Sequence, residues 1–350
     1  MNMITSLEQA ILPLNSTMQD AINALNISTL KIVLIINEQH QLVGVITDGD
    51  IRRAILAYHG LNSAVDLIMS HKPVTAFQGD SASKIKHLLE VNKLLHIPIL
   101  TQDQRILGIE TRDHLFGVGK LTNPVFIMAG GFGTRLRPLT SSCPKPLLKV
   151  GRKPILENII ESFSSFGFEQ FYISVHYKAD MIKDYFGDGS TLGVDIEYIE
   201  EKTPLGTGGA LSLLPDVFEP VILMNGDLLT KVDFSELLAY HQEEKAAVTM
   251  CVREYEFQVP YGVIQSENNR VTNIVEKPVE KYFVNAGIYV ISPEVIHKLK
   301  VNEYLDMPDL INACLANEER ISMFPIHEYW LDIGRMSDFE RAQSDAINFF

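Results

Sequence analysis

The sequence predicts an α/β fold over its last two-thirds, a mostly parallel sheet with helices on both faces, preceded by a smaller α+β module present twice. Three observations carry this expectation. Residues 30–51 lie over residues 94–115 without a gap, a strongly apolar strand at Val125–Ala129 opens an alternation of strand and helix, and a glycine-rich loop follows that strand directly. At 350 residues the chain has room for two or three compact units.

Composition narrows the class before any motif is read. The chain is 46% hydrophobic and 21% charged, ordinary for a globular protein. Its formal net charge of −14 argues against a general nucleic-acid binder, which needs a basic surface to release counterions. Small phosphorylated ligands stay possible, because local donors in a cleft hold them. The longest apolar runs, such as Lys31–Ile36, suit buried strands and are too short to cross a membrane. Met1–Ile11 lacks a basic start followed by an apolar stretch, so no export leader is expected. Cys143, Cys251 and Cys314 are scattered and odd in number, which argues for a reducing cytoplasm and against a zinc site.

The repeat comes first in the chain. Leu30, Ile35, Gly44 and Thr47 fall on Leu94, Ile99, Gly108 and Thr111. Thr17–Leu25 and Ser81–Leu89 read as short amphipathic helices, with Thr17 and Ser81 as caps. Each copy therefore reads helix, strand, turn, strand, helix. A unit this small rarely buries enough surface alone, so the copies are expected to pack together. The pattern resembles a tandem pair of CBS modules, covering nearly all of residues 6–118, with 1–60 and 61–120 as the two copies. The resemblance implies that Thr47 and Asp50, in the turn opened by Gly44, offer hydroxyl and carboxylate to the ribose of a regulatory nucleotide. Copy two keeps Gly108 and Thr111 but places His114 where the acid belongs, with Asp113 one position early. A platform for packing or homo-oligomer formation is the alternative reading, and both stay open.

A polar joint, Gly117–Asn123, leads into residues 121–350. Strands are expected at Val125–Ala129, Gln170–Val175, Asp195–Ile199, Val221–Met224 and Ala247–Arg253. Helices are expected at Pro154–Phe166, Ala179–Phe186, Thr207–Leu214 and Phe234–Glu244. This alternation puts ligands at the carboxyl ends of the strands.

The string Ala129-Gly-Gly-Phe-Gly-Thr-Arg-Leu-Arg-Pro-Leu-Thr140, ending in Pro144-Lys-Pro146, carries the strongest signal. Gly130, Gly131 and Gly133 let backbone N–H groups approach an anion closely. The string lacks the Gly-Lys-Ser/Thr ending of a Walker loop, and Leu136 stands where a dinucleotide fingerprint needs its third glycine. Downstream come Pro204-Leu-Gly-Thr-Gly-Gly-Ala210, Asn225-Gly-Asp227, Tyr261-Gly262, Val275-Glu-Lys-Pro278, Asn285-Ala-Gly287 and Trp330-Leu-Asp-Ile-Gly334.

In these segments and their order the chain resembles the sugar-1-phosphate nucleotidyltransferases, from about Val125 to Ser344, with a Rossmann-like sheet. The resemblance implies that Ala129, Gly130, Gly131, Gly133 and Thr134 wrap a nucleoside triphosphate. It places Arg135 on the leaving pyrophosphate and Lys145 on the phosphates nearer the reacting centre. Gly206 and Thr207 would contact the base. Asp227 and Asp332 would hold Mg²⁺, a hard cation suited to carboxylates. Gly262, Glu276, Lys277 and Asn285 would receive the sugar 1-phosphate. Two departures stand out. Arg335 replaces the usual Thr after Gly334, and His176 replaces an Asn seen in many relatives.

The loop and the Pro144–Pro154 stretch look most like bacterial guanylyltransferases that make GDP-sugars for surface carbohydrates, with GTP favoured and mannose 1-phosphate or an aminohexose 1-phosphate as acceptor. Two other readings are a non-catalytic sensor on the same fold and a transferase acting on a phosphoalcohol. The sensor predicts loss of Arg135, Lys145, Asp227 or Asp332, all of which are present, and the Val275–Pro278 and Asn285–Gly287 segments favour a sugar over a phosphoalcohol.

Overall fold

The computed structural model describes residue 4 and residues 7–28, 30–117 and 119–349. Met1–Met3 of the N-terminal stretch and Val118 of the polar joint lie outside the described residues. The chain divides into two compact units: residues 1–121 with 162–169 and 327–329, and residues 122–161 with 170–326 and 330–350. Among the described residues no helix is long and apolar enough to cross a membrane.

The first unit carries the repeat. Copy one runs β1 (Ile11–Pro13), α1 (Met18–Ile27), β2 (Ile32–Ile36), β3 (Leu42–Thr47) and α2 (Asp48–Leu56). Copy two runs β4 (Ala76–Phe77), α3 (Ala82–Val91), β5 (His96–Leu100), β6 (Ile106–Thr111) and α4 (Arg112–Phe116). The registers coincide: Ile35 opposes Gly44 and Ile32 opposes Thr47, as Ile99 opposes Gly108 and His96 opposes Thr111. Thr17 caps α1 in a capping box with Asp20, and the Ser81 hydroxyl accepts from Lys84 N at 3.2 Å. Gly44 lets Met69 pack directly on the strand, since a Cβ there would lie 2.4 Å from Met69 Sδ and force that side chain to shift. Ile109 of the second copy packs into one buried cluster with Leu30, Leu34 and Val45 of the first. The two copies thus share core, as the size argument requires.

The second unit is built on seven strands. In chain order its elements are β7 (Val125–Met128), the short pair β8 (Lys149–Val150) and β9 (Lys153–Pro154), α5 (Ile155–Ser165), β10 (Gln170–Val175), α6 (Ala179–Phe186), β11 (Asp195–Glu200) and α7 (Gly206–Gly209). There follow β12 (Val221–Asn225), β13 (Leu228–Thr230), α8 (Phe234–Glu244), β14 (Val248–Gln258), β15 (Val263–Glu267), β16 (Arg270–Val275), β17 (Val279–Ile291) and α9 (Pro293–Ile296). The chain continues through α10 (Met307–Ala316), β18 (Ile321–Ile326), β19 (Trp330–Asp332) and α11 (Met336–Phe349). The large sheet has the order β11-β10-β7-β12-β17-β14-β18. Six strands run one way, and β17 runs antiparallel to both neighbours.

Val125, Phe126 and Ile127 of β7 are fully buried, as expected of a central strand covered on both faces. Phe126, Leu223, Val248 and Tyr289 share a core with Met307, Leu310 and Ile311 of α10. Because Asn225 of β12 is in register with Met128 of β7, the loops leaving these strands emerge side by side. That is where an open parallel sheet presents its ligand site.

Two elements differ from the sequence expectation. The helix expected at Thr207–Leu214 is one α-helical turn followed by a 3₁₀ turn at Ala210–Leu213. Three glycines in four residues resist a longer helix. The strand expected at Ala247–Arg253 continues to Gln258, and the outer halves of β14 and β17 form a ribbon, with Tyr255 opposite Tyr282 and both exposed. It leads into the antiparallel pair β15–β16, exposed on both faces.

His241 on α8 illustrates how polar groups are kept in this core. It is 2% exposed, with Nδ1 2.9 Å from Thr249 Oγ and Nε2 3.1 Å from Ser292 Oγ. Burial, opposed by the nearby Glu294 charge, pulls its pKa from 6.5 to about 4. The fold therefore holds a neutral imidazole, and acid loads protons onto the unfolded chain first. Its contribution is present above pH 6.5 and is lost as pH falls toward 4. Thermal melts of His241→Gln should show a shallower decline across that window than the wild type, and equal slopes would contradict this role.

Candidate active site

The loop after β7 is shaped by contacts that only small residues permit. Ala129 N donates to Ser174 O at 2.9 Å, which keeps the loop's first residue on the sheet. Gly133 has φ +60°, and a Cβ there would lie 2.9 Å from Thr140 Cγ2 and 3.2 Å from Lys145 Cβ. The Thr140 hydroxyl closes the turn by donating to Gly133 O at 2.8 Å. Single 3₁₀ turns at Thr134–Leu136 and Lys145–Leu147 then carry Arg135 and Lys145.

The carboxylates arrive from the other side. Gly226 N donates to Met128 O at 2.9 Å, and a Cβ on Gly226 would come within 2.6 Å of that oxygen, so the Asn225–Asp227 turn is pressed onto the end of β7. Strand β13 pairs antiparallel with β19, Leu228 opposing Asp332, and Ile333 N donates to Asp227 O at 3.0 Å. A short backbone ladder thus sets Asp332 opposite Leu228, the residue directly after Asp227. Lys145 Nζ lies 2.5 Å from Asp227 Oδ2. The surrounding protein, and then the Asp227 charge, raise the Asp332 pKa above its usual 3.8, against the pull of Lys145 and Arg135. A carboxylate whose charge is disfavoured by burial and by a second carboxylate beside it, and only partly offset by cations, fits a divalent cation held by oxygen donors.

These groups line one cavity of about 420 Å³. It brings together Ala129, Gly131, Gly133, Thr134, Arg135, Lys145, Asp227 and Asp332, along with Asn225 and Gly334. The remaining expected residues are placed differently. A Cβ on Gly130 would face Glu201 Oε1 at 3.0 Å, and Glu201 in turn accepts from Ser174 Oγ and from Leu205 N. Thr207 is tied to Asp306, whose Oδ1 accepts from Thr207 N at 3.0 Å and from its hydroxyl at 3.2 Å, while Met307 N donates to Thr207 Oγ at 2.8 Å. Gly206, with φ +79°, is packed against Leu305 O. Gly262, Glu276 and Lys277 lie exposed on or beside the β15–β16 pair, and none of them lines the cavity. Asn285 holds its own turn, its amide donating to Tyr289 O–H and its oxygen accepting from Gly287 N. Gly287 rests against the Asn225 amide, and Trp330 Nε1 donates to Ala286 O at 2.9 Å, so this segment adjoins the carboxylate ladder.

Asn225, Glu201 and Asp306 are functional neighbours that the sequence reading missed. Asn225 had a signal, its place directly before Gly226-Asp227. Asp306 had no signal in the sequence, and its carboxylate serves Thr207, 99 residues away. His176, given no role, hydrogen-bonds through Nδ1 with Glu201 O at 2.7 Å and meets Phe132 edge-on.

In the first unit, Asp50 Oδ2 accepts from Thr47 N at 2.9 Å and from the Thr47 hydroxyl at 2.8 Å, and Arg53 pairs with Asp50 Oδ1 at 2.6 Å. The second copy differs as its sequence does. Thr111 Oγ accepts from His114 N, and the His114 ring pairs with Glu110.

Residues 125–348 match the nucleotidyl transferase family model, and residues 6–57 and 64–118 match the CBS domain model. The mannose-1-phosphate guanylyltransferase catalytic subunit beta of Drosophila pseudoobscura pseudoobscura is 34% identical over 221 residues, which are 61% of this chain and 59% of that protein. The mannose-1-phosphate guanylyltransferase of Mycobacterium tuberculosis is 33% identical over 230 residues, 63% of this chain and 64% of that protein. The match thus spans about three-fifths of these relatives' length. Among solved structures, HddC from Yersinia pseudotuberculosis superposes with a TM-score of 0.50 at 25% identity, covering 64% of this chain and 99% of that one, and has also been solved complexed with GMP-PN.

If Asp227 and Asp332 share a cation, Mg²⁺ at about 100 times its dissociation constant should stabilise the wild type by about 2.7 kcal/mol in thermal melts. Asp227→Asn and Asp332→Asn should lose most of that gain. Because protons compete for Asp332, the gain should fade on acidification at a pH above 3.8. Equal stabilisation of the wild type and both variants would exclude the pair as ligands.

Proposed function

This chain belongs to the nucleotidyl transferase family, and on that premise we propose that it transfers a nucleotidyl group from a nucleoside triphosphate to a sugar 1-phosphate, releasing pyrophosphate. The observation that carries this reading is the convergence of Arg135, Lys145, Asp227 and Asp332 on one cavity lined by the Ala129–Arg135 loop. GTP is the favoured donor and mannose 1-phosphate or an aminohexose 1-phosphate the acceptor, in keeping with the guanylyltransferases to which the chain is similar. Residues 121–350 form the catalytic domain and 1–60 and 61–120 the two CBS modules. The product is a GDP-sugar for bacterial surface carbohydrate. The scattered, odd-numbered cysteines Cys143, Cys251 and Cys314 suit a reducing cytoplasm.

The chemistry follows from charge. A sugar phosphate oxygen attacks the α-phosphorus in line and expels pyrophosphate, and the nucleophile is already anionic, so no general base is needed. The barrier is the approach of two anions, each like-charge pair near 4 Å costing about 4 kcal/mol at an effective dielectric near 20. Arg135 takes the leaving pyrophosphate, and Lys145 moves from Asp227 onto the phosphates near the reacting centre. Backbone N–H groups of residues 130–134 add oriented dipoles that need no reorganisation. A divalent cation held by Asp227 and Asp332 would supply the remaining positive charge. Gly206 and Thr207, fixed by Leu305 and Asp306, support the base, and the ribbon bearing Gly262, Glu276 and Lys277 receives the sugar with Asn285.

At the first unit, Thr47 and Asp50 bind the ribose of a regulatory nucleotide. A diol replaces the Thr47 hydroxyl on Asp50, and the intact first copy is the better site. The paired copies also support a homo-oligomer.

A pyrophosphate-release screen of four triphosphates against hexose and aminohexose 1-phosphates tests the reaction. Turnover should be highest with GTP, and Lys145→Ala or Asp227→Asn should lower kcat by about 100–1,000-fold. No release with any pair would contradict the proposal and favour a non-catalytic sensor.

A further inference from the structure

Helix α2 carries Thr47 as its cap and Asp50 in its first turn, but two of its other residues serve a different contact. Asp48 and Arg52, four apart and on one side of the helix, are both 4% exposed. Within the first unit they meet its segment His327–Tyr329. Arg52 Nη1 lies 2.8 Å from Glu328 Oε1 and donates to it. Glu328 Oε2 accepts from its neighbour's backbone, His327 N, at 2.9 Å. His327 Nε2 lies 3.0 Å from Asp48 Oδ1. Glu328 and His327 are 6% and 8% exposed, so water is poorly placed to replace either partner.

Asp48, His327 and Glu328 have the atoms a metal ion would need. Both Glu328 oxygens are already engaged, one by a guanidinium whose charge would repel a cation, so the cluster is closed by its own Arg52. A buried pair of this kind adds little net stability over apolar residues, while loss of one partner strands a charge. Its value is in fixing geometry.

The chain shows what would be fixed. Tyr329 is bonded directly to Trp330, the first residue of β19, and Asp332 is the last. Glu328 stands four residues before Asp332, and β19 is a three-residue strand held by β13 alone in its sheet. A strand so short has little ladder to set its own register, so its anchored entry point matters. We infer that Arg52 and Glu328 are positioning residues for Asp332, and that ligand binding at Thr47 and Asp50 reaches the Asp227–Asp332 pair through α2 and this ion pair. The inference rests on the ligand readings proposed for those two sites, and its test need not involve turnover.

The experiment uses the full chain, with Mn²⁺ binding followed by electron paramagnetic resonance and amide exchange followed by mass spectrometry. AMP is the regulatory probe, since it lacks a triphosphate. Arg52→Lys keeps the charge. Glu328→Gln breaks the pair, and Arg52→Met with Glu328→Met replaces it by apolar volume, which keeps a folded comparator should the single variant unfold. The double variant should melt near the wild type yet bind Mn²⁺ about 10-fold more weakly, the lower end of what outlying supports of metal ligands typically contribute. Arg52→Lys should recover most of that loss. AMP should alter exchange at residues 330–333 in the wild type and leave those residues unchanged in the double variant, although residues 47–53 still respond. Wild-type Mn²⁺ affinity in the folded double variant would overturn the positioning role. An AMP response at 47–53 that never reaches 330–333 in the wild type, or no AMP response at all, would overturn the coupling. If these binding effects hold while no substrate pair yields pyrophosphate, the reading of the reaction falls and this inference stands.

Discussion

The second unit is organised around the cost of holding two carboxylates together. Burial and the Asp227 charge disfavour the ionised form of Asp332, and nothing in the two side chains compels them to be neighbours. The backbone compels it. The β13–β19 ladder, the hydrogen bond from Ile333 N to Asp227 O, and the close seat of Gly226 on Met128 O fix both residues before any ligand arrives. Lys145, 2.5 Å from Asp227, offsets part of the charge in the meantime. The site is therefore preorganised at a standing electrostatic cost, as the proposed joining of two anions would require.

The two halves of this centre differ in rigidity. The half proposed for the triphosphate is built from the ends of buried strands β7 and β12, and its loop is locked by the Thr140–Gly133 contact and by the tight fit at Gly133. The half proposed for the sugar is carried on the exposed β15–β16 pair and its ribbon, with Asn285 in the segment that adjoins the ladder. Asp306 links α10 to Thr207, so the segment proposed to support the base is held by a residue from late in the chain.

Much of this was legible in the sequence. The gapless repeat foretold matching registers, and the apolar run Val125–Ala129 foretold a buried central strand with the glycine loop at its carboxyl end. Thr17 and Ser81 were readable as caps because capping is local. What stayed hidden shares one cause. Periodicity reports that a face is buried and says nothing of what covers it, so Thr207–Asp306, Arg52–Glu328 and the three-residue strands β13 and β19 left no local trace. The extension of β14 to Gln258 was missed because exposed strands lack a one-sided apolar pattern.

The most direct measurement is anomalous diffraction from crystals of this protein grown with Mn²⁺ and a non-hydrolysable GTP analogue. The account predicts a single strong peak at about 2.1–2.2 Å from a carboxylate oxygen of both Asp227 and Asp332 and from a phosphate oxygen, with Lys145 released from Asp227. A peak bound by only one of these carboxylates, or a nucleotide seated away from residues 129–135, would contradict it.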